Sequence, residues 1–110
     1  TQARSFVESV DVVSGPGNNT VASLPEATGR FHEIRRVVTD LGAYDFETSD
    51  GTMRVRSLHP GVTLEQAQEA SAFELTVIGD VHESRMPTDE ELHLIREVFD
   101  PNGVRNGEFR

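Results

Sequence analysis

The chain has 110 residues, with 10 basic side chains against 19 acidic ones, a formal net charge of −9 and no cysteine. The missing thiols exclude disulfides, thiolate metal sites and cysteine nucleophiles, and the acidic excess argues against a nucleic-acid partner, which needs cations to neutralise phosphates. All ten basic residues are arginine, which removes lysine Schiff-base chemistry, and a hydrophobic content of 35% is lean for an isolated domain and points to an apolar face completed by another chain or segment.

In chain order, the first organised stretch is residues 5–13, where Phe6, Val7, Val10, Val12 and Val13 supply a β-prone run with imperfect alternation. Ser14-Gly15-Pro16-Gly17-Asn18-Asn19-Thr20 is a loop by its breaker residues, and 21–29 read as a connection without a decisive period. A second strand spans 33–40, centred on Ile34, Val37 and Val38. Leu41-Gly42-Ala43-Tyr44-Asp45-Phe46 continues it or bends at the glycine. Thr48-Ser49-Asp50-Gly51 is a hairpin-type turn. It leads into a strand over 52–58, in which Met53, Val55 and Ser57 face one way and Arg54, Arg56 and Leu58 the other.

Thr63 is the N-cap of a helix over 64–70, with Gln66 closing a capping box. Leu64, Ala67, Ala70 and Ser71 give this helix a narrow, small-residue face suited to packing on a sheet. A strand follows over 73–78, ended by Gly79-Asp80. The last helix repeats the device, with Thr88 as N-cap, Glu91 as its partner, and Asp89, Glu90 and Glu91 complementing the helix dipole. Leu92, Ile95, Val98 and Phe99 form its apolar stripe, and Asp100-Pro101 stops it. Asn102-Gly103 is a turn, and 105–110 are expected to be a mobile tail. The whole is a β-rich α/β unit with two short helices, consistent with one edge of a larger layered domain.

Four strings occur in a telling order: Val37-Val38-Thr39-Asp40-Leu41-Gly42, Met53-Arg54-Val55-Arg56, Leu58-His59-Pro60-Gly61-Val62 and the 87–101 helix. Together, with a looser likeness over 6–14, they resemble the C-terminal half of the β subunit of class I coenzyme A transferases. The branch they look most like includes glutaconate CoA-transferase and the actinobacterial ring-opening hydrolases of steroid catabolism. The resemblance implies an α/β fold with an open, mostly parallel-type layered sheet, shared by two related subunits. It also implies a complete β subunit of roughly twice this length, so an N-terminal β segment and an α-type CoA-transferase subunit are the expected partners. The opening at Thr1-Gln2, without an initiator methionine, fits a processed, proteolysed or partial chain.

What the family does can be written as chemistry. A glutamate carboxylate attacks an acyl-CoA thioester, giving an anhydride and then a glutamyl-CoA thioester, while backbone N–H groups of glycine-rich turns stabilise the oxyanion. In many members that glutamate follows a serine and precedes Asn-Gly. No such string occurs here, and neither Val7-Glu8-Ser9-Val10 nor His82-Glu83-Ser84-Arg85 matches it, so no catalytic residue is assigned. In the hydrolase-like relatives the acidic residue sits in the other subunit, and water takes the acyl group. The leading expectation is a portion of a heteromeric CoA-transferase acting on acyl-CoA and carboxylate substrates, with no cofactor beyond the CoA thioester itself. The alternatives are a CoA-ester hydrolase subunit and a non-catalytic interaction domain of the same fold.

Four residues are candidates for binding substrate. Arg54 and Arg56 offer guanidinium forks suited to a carboxylate or a CoA phosphate, or else blunt an exposed strand edge. His59, before Pro60-Gly61, can hydrogen-bond a substrate carboxylate, or pack and cap the coming helix. Asp40 follows a buried-looking strand, where ligands of open α/β sheets gather, or begins a turn. The histidines at 32, 59, 82 and 93 never fall at the i, i+4 spacing of a helical zinc pair, so no metal site is assigned. Gly15-Pro16-Gly17 is too short to cradle a phosphate. No run approaches the roughly 18 apolar residues of a membrane helix, no signal-peptide pattern opens the chain, and the acidic surface fits a bacterial cytoplasm.

Overall fold

In the computed structural model, which describes residues 1–107, four short strands form one sheet. β1 (Val37–Val38), β2 (Gly42–Asp45), β3 (Arg54–Leu58) and β4 (His82–Glu83) lie in that order across it. β2 pairs antiparallel with both β1 and β3, whereas β3 and β4 run parallel. A further parallel bridge joins Arg54 to Thr76. The open α/β sheet is therefore as expected. Its pairing is mixed, and within this chain the parallel contacts are those that β3 makes with β4 and Thr76. A tight hairpin can only bring neighbours together antiparallel, and a parallel return needs a longer crossover.

That hairpin is built where the sequence places it. Gly51 takes φ 73°, a left-handed conformation that glycine adopts without steric cost, and Asp50 accepts the Thr52 N–H at 3.2 Å and its hydroxyl at 2.7 Å. At the other end of the ladder Gly42 is buried against β3, and a Cβ there would collide with the Ser57 carbonyl oxygen. The close approach of the two backbones requires a glycine.

The expected alternation along β3 breaks at one residue. Ala43 faces Ser57 and the next residue, Tyr44, faces Val55, so Arg56 is an extra residue in β3. A bulge of this kind kinks the strand and re-aims its side chains. Val55 and Leu58, which strict alternation would place on opposite faces, both enter the core with Tyr44, Ala67 and Leu75.

Three expected strands are cut short, two of them for the same physical reason. Over 33–40, ladder pairing survives at Val37–Val38, because the Asn18 side chain satisfies Ile34 on both sides: Oδ1 accepts its N–H at 2.8 Å and Nδ2 donates to its carbonyl at 2.9 Å. Over 73–78, Gln68 does likewise, donating to the Phe73 carbonyl at 2.8 Å and accepting the Leu75 N–H at 3.0 Å. An amide side chain carries one donor group and one acceptor and so imitates a neighbouring strand. Residues 5–13 form bends and irregular backbone instead of a strand, with Val10, Val12 and Val13 exposed. From that stretch Phe6 packs edge-on against Phe73 and tilted against Tyr44, with centroids at 5.0 and 6.0 Å. The loop and connection over 14–29 contain two single-turn helices, α1 (Asn18–Val21) and α2 (Glu26–Gly29).

The capped helices stand where expected. α3 (Leu64–Glu69) and α4 (Asp89–His93) each begin with a complete capping box, Thr63 with Gln66 and Thr88 with Glu91. Of the expected small-residue face of α3, Ala67 is fully buried, Ser71 nearly so and Ala70 half-buried, whereas Leu64 is exposed. α4 passes into a π-helical turn at Leu94–Phe99 and ends at Asp100. Asp100 also tempers the expected mobile tail: its carboxylate accepts the Val104 N–H at 2.7 Å and the Arg105 N–H at 3.0 Å, ordering a 3₁₀ turn over Val104–Gly107. The rest of that tail lies outside the described residues.

Replacing Thr88 by alanine removes the side-chain half of its capping box, the hydroxyl that accepts the Glu91 N–H, and leaves the backbone half in place. Denaturant unfolding should show a loss of about 1 kcal/mol, with a matching drop in far-ultraviolet helical signal.

Candidate functional site

The sheet ends in a cluster of charge. Asp45 closes β2, and the hairpin register sets it opposite Arg54 at the start of β3. Its side chain is fully buried. Arg54 Nε donates to Asp45 Oδ1 at 2.8 Å and its terminal nitrogen to Oδ2 at 2.7 Å, a two-pronged pairing that fixes both groups. The same Arg54 nitrogen donates to Glu47 at 3.0 Å. Arg36 bridges Glu47 at 3.1 Å and Asp45 at 3.8 Å. Arg56 reaches Asp45 Oδ2 through one long contact of 3.4 Å. Three guanidinium groups thus converge on two carboxylates, leaving one unit of positive charge in excess.

The electrostatics follow from this geometry. Hydrogen bonding by Arg54 lowers the Asp45 pKa to about 2, outweighing burial, which acts in the opposite direction; the Glu47 N–H and Arg56 add to the lowering. Asp45 in turn raises the pKa of Arg54. Arg54 is therefore committed to holding Asp45. Arg56 differs in exposure: its side chain is 49% exposed against 20% for Arg54, although both line a surface depression of about 410 Å³ with Ser57, Asp80 and His82. Beside it, the Ser57 and Ser84 hydroxyls hydrogen-bond to each other at 2.8 Å.

His59 and Asp40 lie at the opposite end of the β2–β3 ladder. His59 Nε2 donates to the Thr39 carbonyl at 2.9 Å, and its backbone N–H donates to Leu41 O at 2.9 Å. The ring thus pins the 39–42 turn to the one that follows β3, and the Thr39 contact fixes which nitrogen carries the proton. Asp40 is exposed and taken up by the amine and hydroxyl of Thr1, the amine contributing most to a pKa below the usual carboxylate value. The structure therefore brings Arg54 and Arg56 together, and His59 to the turn that carries Asp40, at two separate places.

Asp45, Glu47 and Arg36 were absent from the sequence-derived candidates. The signal for Asp45 was an acid between Tyr44 and Phe46 on a strand, nine residues before an arginine across a hairpin turn. The Tyr44 hydroxyl, beneath this strand, is buried without a hydrogen-bond partner among the described residues, and burial pushes its pKa up. Among the described residues no group of three His, Asp or Glu side chains could hold a metal ion, and no helix is long and apolar enough to cross a membrane.

No protein-family model matches the chain. Two solved structures share its fold: IpdAB of Rhodococcus jostii RHA1, with TM-score 0.79 and 44% identity over 97% of this chain and 43% of that one, and glutaconate coenzyme A-transferase of Acidaminococcus fermentans, with TM-score 0.72 and 26% identity over 92% and 39%. One of the subunits of the 3-oxoadipate CoA-transferase of Pseudomonas knackmussii is 32% identical over 72 residues, 66% of this chain and 28% of the relative. The chain belongs to the class I CoA-transferase family, among its β-subunit-like members. Within that family it is similar to the IpdB subunit of the cholesterol ring-cleaving hydrolase of Rhodococcus jostii, 47% identical over 107 residues. That match covers 96% of this chain and 42% of the relative, so the chain spans about two fifths of the relative's length.

Removing the Asp45 charge leaves three arginines against the single carboxylate of Glu47, and Asp45→Asn should cost about 3 kcal/mol in unfolding free energy. The pH dependence has a definite sign. With a folded pKa of about 2 against 3.8 when unfolded, Asp45 contributes its full stabilisation above pH 3.8 and loses it as pH falls through 2. Acid titration of stability should show this limb in the native protein and a shallower one in Asp45→Asn.

Proposed function

We propose that the chain is a β-subunit portion of a heteromeric enzyme that opens a ring in a coenzyme A ester by hydrolysis. The observation that carries this reading is the 47% identity to the ring-cleaving IpdB subunit across 96% of the chain, against 32% over 66% for the transferase subunit. An α-type subunit and the remainder of a β subunit complete the assembly, and the acidic catalytic group lies outside this chain. The second reading keeps the assembly and makes the reaction CoA transfer between an acyl-CoA and a carboxylate through a glutamyl-CoA intermediate. The likeness in fold to glutaconate coenzyme A-transferase favours it.

Either chemistry must grip an anionic substrate, and Arg56 is the residue of this chain best suited to do so. The bulge takes it out of the ladder, a single 3.4 Å contact leaves most of its N–H donors unspent, and Arg36 and Arg54 already balance Asp45 and Glu47 behind it, so its own charge is the one in excess. Arg54 holds Asp45, and Asp45 holds the ground on which Arg56 stands. His59 and Asp40 act on the turn at the far end and serve substrate binding through its shape.

Incubating the assembled enzyme with a cyclic CoA ester in ¹⁸O-labelled water separates the two readings. Hydrolytic ring opening places one labelled oxygen in the new carboxylate, with no exchange of CoA onto an added free carboxylate. Rapid CoA exchange without label from water would establish the transferase reading instead. For Arg56, loss of one charge-assisted hydrogen bond of about 1.5 kcal/mol corresponds to roughly a tenfold rise in KM for the CoA ester. Arg56→Gln should show that rise with its melting temperature unchanged, and an unaltered KM would remove Arg56 from the site.

A further inference from the structure

The helix over 89–99 carries an apolar stripe that the described residues leave largely uncovered, with Leu92 half-buried and Ile95, Val98 and Phe99 exposed. Leu92, Ile95, Val98 and Phe99 recur at helical spacing, yet no residue of α4 or of the π-helical turn is buried, and Phe99 is 76% exposed. A helix in water gains most of its stability by packing such a stripe against an apolar neighbour. This helix is instead tied down by charge near its start, where Arg85 grips Glu91 through two hydrogen bonds of 2.8 and 2.9 Å. The dimensions agree with an unfinished unit. The Cα radius of gyration is 16.6 Å, against about 13 Å for a self-contained domain of this length.

We propose that this stripe is the seat of the polypeptide that completes a full-length β subunit. The inference rests on the β-subunit reading above and goes further by naming the surface. Its basis is the length of chain beyond the match: the IpdB relative and the IpdAB chain are covered for 42% and 43%, so more than half of each lies outside the region shared with this chain. Charge adds a requirement on the occupant. Asp89, Glu90 and Glu97 stand against Arg96 beside the stripe, and Glu91 is already paired with Arg85. The covering segment is therefore apolar along its ridge and basic at its flanks.

Position 99 can report what lies over it. In the assembled protein carrying Phe99→p-benzoylphenylalanine, irradiation should attach the ring to the remainder of the β-subunit polypeptide. Amides of 89–99 should also exchange slowly in the unirradiated native assembly. Attachment to an α-type subunit or to a second copy of this chain overturns the proposal, as does fast exchange without cross-linking. Ile95→Asp should weaken the association at least about tenfold, while Val12→Asp on the exposed 5–13 stretch leaves it unchanged; equal association of both variants with native protein overturns the proposal as well. An assembly cross-linked as expected but inactive on CoA esters would sink the functional reading and leave this one standing.

Discussion

The Asp45–Arg54 pair is the interaction on which the described structure turns. It lies across the open end of the β2–β3 hairpin, with a fully buried carboxylate met by both prongs of a guanidinium. Burial alone would drive the proton onto Asp45, and the arginine reverses that preference. Once the pair is formed, the ladder runs in a single register up to the bulge. Arg36, Glu47 and Arg56 then gather around it, because each satisfies valences the pair leaves over. The difference between Arg54 and Arg56 follows from that order: Arg54 is consumed in holding Asp45, and Arg56 keeps most of its donors free.

Away from the cluster, side-chain amides stand in for strands. Asn18 and Gln68 each close two hydrogen bonds with a backbone that would otherwise need a partner strand. The buried backbone of Leu75 is thereby satisfied without widening the sheet, and the apolar core stays confined to Tyr44, Val55, Leu58, Ala67 and Leu75. A core of that size under such an extended chain fits a unit that is finished by other polypeptide. The exposed stripe of the last helix points the same way.

Membership of the CoA-transferase family gives these features a common frame. The chain corresponds to about two fifths of an IpdB-like relative, and it carries structural chemistry of the β-subunit fold without a catalytic carboxylate of the family's known pattern.

Much of this was legible in the sequence wherever the determinants are local. Thr63 with Gln66, Thr88 with Glu91, the Asp50-Gly51 turn and the Asp100-Pro101 stop each act within a few residues, so the sequence alone determined both capped helices and the hairpin. The order of four strings sufficed to identify the family. Tertiary structure decided the rest. Strand length depended on whether Asn18 and Gln68 reached a backbone 16 and 5 to 7 residues away. The partition of Val55, Arg56 and Leu58 depended on a bulge that periodicity cannot reveal, and the importance of Asp45 emerged only when Arg36, Arg54 and Arg56 closed around it. Caps and turns are contests between neighbouring groups and can be read from neighbours. Burying a charge is decided by everything that folds around it.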